Sequence, residues 1–71
     1  MIIGTTFKSM EHAVEIQLNS LITDAGCAKL NIGITDEHEF REEIEYWLQN
    51  IEKTIKSIKE DLENYYNGAD I

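Results

Sequence analysis

The sequence predicts a mainly α-helical chain, built of a first helix, a strand-like connector and a long C-terminal helix that associates with further copies of itself. Three observations lead there. Proline is absent from all 71 residues, so no imino ring interrupts a helix anywhere. Ile44, Leu48, Ile51, Ile55, Ile58, Leu62 and Tyr65 follow one another at spacings of four and three, the heptad pattern of a helix with one apolar seam. The third is a mismatch of length. A helix of about 31 residues spans roughly 46 Å, whereas a compact globule of this chain length has a diameter on the order of 28 Å. A second fold class, α+β with a β-hairpin packed on one long helix, stays open because residues 9–26 can be read in two ways.

The chain begins Met1-Ile2-Ile3-Gly4, with three apolar positions and no basic stretch before them. That falls short of a signal peptide or a membrane span, so a soluble cytoplasmic protein with no membrane partner is expected. Met1 to Thr6 would be free to pair with a later strand. In residues 9–26, the helical reading has Ser9 as N-cap, Gly26 as the end, and Met10, Val14, Leu18, Leu21 and Ala25 as the buried stripe, with only Ile16 facing the wrong way. The strand reading has Val14, Ile16 and Leu18 alternating with Glu15, Gln17 and Asn19. The helical stripe is the longer pattern and has both caps. Residues 28–35 read as a strand-like connector, since Leu30, Ile32 and Ile34 alternate with Lys29, Asn31 and Gly33.

The long helix is placed at residues 36–66. Asp36 is its N-cap, Glu39 completes a capping box, and the acids of the first turn suit the positive end of the helix dipole. Asn67-Gly68 stops it, and residues 67–71 form a flexible tail. A first helix of about 16 residues, roughly 24 Å long, covers only about half of the seam. The seven seam residues are therefore the expected oligomer interface, in a dimer or tetramer. The competing possibility is that the seam packs only on the chain's own first half.

Composition limits the rest. The net charge is −8, from 14 acidic and 6 basic residues, which disfavours direct binding to nucleic acid or anionic lipid and leaves a basic protein as the natural partner. Residues 36–45 hold six acids against the single Arg41, more than a helix dipole accounts for. Glu39, Glu42, Glu43, Tyr46 and Asn50 project away from the seam and form the candidate partner-binding surface, with Tyr46 as its aromatic anchor. Glu52 and Lys56 are spaced as a helix-stabilising surface pair. Cys27 is alone, so no internal disulfide forms. A pairing between chains stays open, while an inert thiol in a reducing compartment is the simpler reading.

No catalytic residues, cofactor or metal site are expected. His12 and His38 lie outside metal-ligand spacing, apart from a weak His38–Glu42 surface contact, and there is no glycine-rich phosphate loop or nucleophile elbow. The expected function is a small acidic, non-enzymatic interaction module that self-associates through its long helix and acts as an adaptor or inhibitor of another protein. Two alternatives stand beside it: an acidic nucleic-acid mimic of the viral or phage inhibitor type, and a purely structural oligomerisation domain.

Overall fold

The computed structural model describes residues 6–67. Within them the chain is two helices, α1 (Phe7–Leu30) and α2 (Glu37–Tyr66), folded back on one another as an antiparallel hairpin of 55 × 17 × 15 Å. Among the described residues there is no strand, which removes the α+β alternative. Val14, Ile16 and Leu18 all lie inside α1. Met1 to Thr5 and residues 68–71, which include the expected stop at Gly68 and most of the expected tail, lie outside the described residues.

Helix α1 is longer at both ends than its sequence signals suggest. Its N-cap is Thr6, whose hydroxyl oxygen accepts from the Ser9 amide at 3.1 Å. Ser9 instead sits in the first turn and donates its hydroxyl to the Thr6 carbonyl. Gly26 does not end the helix. A glycine inside a helix costs only about 1 kcal/mol relative to alanine, and four further residues continue the ladder to Leu30. The helix ends at Leu30 with Asn31 as its C-cap, and the chain then reverses through Gly33, the one described residue with positive φ, at 88°.

The residues expected as a strand-like connector therefore divide between the last turn of α1 and a tight reversal. Their amides find partners behind them: Ile32 N donates to Lys29 O at 3.0 Å, and Ile34 N and Thr35 N both donate to Asn31 O at 3.4 Å. Asn31 locks the turn, its side-chain amide reaching Cys27 O at 3.2 Å while its carbonyl accepts from Thr35 Oγ1 at 3.0 Å. With local hydrogen bonds satisfied in this way, the alternation of Leu30, Ile32 and Ile34 has no sheet to serve. These three side chains are left 70%, 65% and 76% exposed.

Helix α2 begins where the sequence places it. The Glu39 amide donates to Asp36 Oδ1 at 2.7 Å, and the Phe40 amide closes the first turn on Asp36 O at 2.8 Å. That amide bond holds the Asp36 carboxyl below its ordinary pKa. Glu39 is pushed up, first by its side-chain hydrogen bond with Asp36 and then by the charge of Asp36 beside it. At the other end Asn67 N donates to Glu63 O at 2.8 Å.

The two helices meet along a mixed seam. Met10, Val14 and Leu21 on α1 and Ile44, Ile51 and Ile58 on α2 are at least half covered, but so are Gln17, Asp24, Thr54 and Asp61. Gln17 Nε2 bridges the helices, donating to Asp61 Oδ2 at 2.7 Å and to Ala13 O at 3.2 Å. Near the termini Phe7 and Tyr65 pack ring against ring, 6.0 Å apart. Of the described apolar side chains only Met10 is buried, at 5% exposure. The accessible surface is 5834 Å², against about 4,500 Å² for a compact monomer of this mass. The radius of gyration, 16.4 Å, likewise exceeds the ~11 Å of a compact chain this long.

Candidate interaction surface

The apolar seam of α2 is split by the fold. Ile44, Ile51, Ile58 and Tyr65, one heptad position, are half-buried toward α1. Leu48, Ile55 and Leu62, the other position, remain 48%, 39% and 37% exposed. A single neighbouring helix covers one edge of a two-edged seam, and α1 lies on the first.

Helix α1 contributes to the uncovered side. Leu18 and Ala25, expected in the buried stripe, are exposed, while the line toward α2 runs through Gln17, Leu21 and Asp24. Ile22 is 69% exposed and Ile16 54%. A periodic pattern in α1 was legible, but its apolar residues surround the helix too broadly to single out one face. Only 5 of its 24 residues are charged, and none between Ile16 and Thr23, whereas 13 of the 30 in α2 are. A helix apolar on several sides is typical of an element with more than one packed neighbour.

Helical geometry places the two exposed stripes on the same side of the hairpin. At about 100° per residue, Leu48, Ile55 and Leu62 lie roughly 80° around α2 from its line toward α1. Leu18 and Ala25 lie about 80° around α1 from its line toward α2, and Ile22 about 40° further, in the same rotational sense. Because the helices are antiparallel and face one another, equal rotations in one sense turn both stripes to one side. An angle near 80° is close to the right angle between the two neighbours of a helix at the corner of a four-helix bundle.

The candidate acidic surface lies on the other side. Glu39, Glu42 and Glu43 are exposed, and Tyr46 is 57% exposed with its ring edge-on to Trp47 at 5.0 Å. Asn50 departs from this group. It is half-buried, turned toward α1, and its carbonyl accepts from Thr54 Oγ1 at 3.1 Å. Trp47 is half-buried beside the seam. Arg41 pairs with Glu45 at 3.1 Å, and His38 approaches Glu42 at 3.9 Å. No ion pair forms between Glu52 and Lys56 among the described residues.

Little else resembles a site. Among the described residues no group of three or more His, Cys, Asp or Glu side chains is arranged to hold a metal ion. A shallow depression lined by Lys8, Glu11, His12, Val14, Glu15 and Leu18 opens along α1 beside the exposed stripe. Cys27 is a free, half-buried thiol. No described helix is long and apolar enough to cross a membrane. Compared with protein-family models, with curated proteins and with solved structures, the chain matches none of them.

Proposed function

We propose that the chain is a non-enzymatic interaction module that self-associates through the side of the hairpin carrying Leu18, Ile22, Leu48, Ile55 and Leu62, two hairpins completing a four-helix bundle. The observation that carries this reading is the placement of the exposed stripes: both helices turn theirs to one side, at the angle a second hairpin would need. The size of the face agrees. A side of about 55 × 17 Å amounts to roughly 900 Å², comparable to the ~800 Å² each partner contributes to a standard stable interface. The open surface and scarcity of buried side chains in the single chain support it too, since small domains commonly complete their cores by association.

In this arrangement the acidic side with Tyr46 faces outward and is free for a further protein with a basic surface, which would make the module an adaptor or an inhibitor. A DNA- or RNA-handling protein is one such target, with the carboxylates standing where phosphates would. Sedimentation equilibrium tests the self-association directly. A dimer or tetramer at micromolar concentration is expected, and a monomer at high micromolar concentration refutes it. A pull-down repeated at low and high salt tests the outward side, where capture should weaken steeply as salt rises.

A further inference from the structure

The closed end of the hairpin carries apolar surface that lies apart from the side face described above. Leu30, Ile32 and Ile34 are 70%, 65% and 76% exposed, and Phe40, near the start of α2, is 39% exposed. Leu30 lies about 140° around α1 from its line toward α2, in the rotational sense opposite to Leu18. The reversal does not need these side chains. Asn31, itself only 9% exposed, braces it through Cys27 O and Ala28 O, and the amides of Ile32, Ile34 and Thr35 all donate to backbone carbonyls. Polar side chains at positions 30, 32 and 34 would leave those bonds intact, so folding gives no reason for aliphatic ones. Apolar groups held out on a turn braced by its own hydrogen bonds suit docking, because little freedom remains to be lost.

The charge around the tip indicates what it meets. Residues 29–43 hold five acids against Lys29 and Arg41, and Arg41 is directed to Glu45 at 3.1 Å. The five acids occupy the first turns of α2, within about 11 Å of its start. Among the described residues Glu37, Glu39 and Glu43 enter no ion pair. They crowd one another: the Glu39 carboxyl is pushed up first by its hydrogen bond with Asp36, then by the charge of Asp36, with Glu43 and Glu42 adding to it. An apolar centre edged by polar and charged groups is the usual anatomy of a protein interface. Resting on the reading above of an outward acidic surface that meets a basic protein, we infer that the tip is the centre of that contact. Leu30, Ile32 and Ile34 enter an apolar cleft whose rim carries lysines or arginines. A cationic rim relieves the crowding around Glu39, whereas the tip of a second copy or an anionic membrane adds to it.

The probe is a synthetic amphipathic helix with a leucine stripe bordered by lysines, titrated into the isotope-labelled full chain and followed by NMR, with sedimentation run on the same samples. Amide shifts centred on residues 30–40 are expected, and they disappear when the peptide's lysines become glutamates or its leucines become serines. Ile34→Ser, at an exposed position that leaves the helices intact by circular dichroism, weakens peptide binding by about ten-fold and leaves the sedimented mass unchanged. If Ile34→Ser binds like the parent while Tyr46→Ala or Glu42→Lys with Glu43→Lys does not, the basic-partner reading stands and the tip is not its centre. A glutamate-bordered peptide that binds equally well overturns both. Shifts gathered at Leu48, Ile55 and Leu62, or none at all, overturn the tip as a docking site. A lower sedimented mass for Ile34→Ser also overturns it, by showing the tip to be a contact between copies.

Discussion

Replacing Ile55 by Asp tests the uncovered face at its centre. Ile55 is 39% exposed in the hairpin, and complete burial of an isoleucine contributes about 1.5–3 kcal/mol, so the uncovered part offers roughly 1 kcal/mol per copy on association. An aspartate there also has to shed water into an apolar interface, at about 2 kcal/mol or more without a partner. In the proposed two-fold interface both terms count twice, giving about 6 kcal/mol per pair of hairpins. That is a weakening of about four orders of magnitude in the dissociation constant. Sedimentation equilibrium with circular dichroism is the assay: Ile55→Asp should be monomeric throughout the micromolar range, and the melting temperature of the unmodified chain should rise with its concentration. Lys53→Asp, on the opposite side of α2, is the control and should leave the assembly intact. If Ile55→Asp associates as tightly as the parent chain, the face is not the interface. If the parent itself melts at a concentration-independent temperature, the hairpin is sufficient alone and the argument from its open surface fails.

Four further outcomes are expected. Gly26→Ala should raise stability by about 1 kcal/mol in denaturant unfolding, because the site is helical and a Cβ there meets nothing within 4 Å. Gly33→Ala should lower stability by about 1 kcal/mol although space is equally open, because its φ of +88° strains any L side chain. Asp61→Ala should cost about 1 kcal/mol by leaving the Gln17 amide without its partner across the helices, whereas Gln17→Leu with Asp61→Leu should recover most of the loss. The start of α2 should respond to acid in two opposed ways, read from the Glu39 amide shift by NMR. Asp36, with its pKa lowered, supports the folded cap above its ordinary pKa and loses that support as pH falls through the lowered value. Glu39, with its pKa raised, favours the folded state below its ordinary pKa and loses that contribution as pH rises through the raised value. The cap should therefore be firmest between the two, near pH 4, and Asp36→Asn should abolish this maximum.

The sequence by itself determined the elements whose causes are local. The Asp36 cap, the absence of proline and the four-three spacing from Ile44 to Tyr65 specify α2 to within a residue at each end, because helix capping and periodicity act through neighbours one turn away. The same local rules misjudged α1 and the connector. Ser9 and Gly26 looked like ends, yet Thr6 was equally able to cap, and one glycine is too small a penalty to stop a helix. The alternation of Leu30, Ile32 and Ile34 meant a strand only if another strand lay beside it. Which edge of the α2 seam is covered was decided by tertiary structure alone. Periodicity marks Leu48, Ile55 and Leu62 as apolar just as it marks Ile44, Ile51 and Ile58, and only the line along which α1 docks, fixed by a reversal at Gly33 and the Gln17–Asp61 bridge, buries one set and leaves the other open.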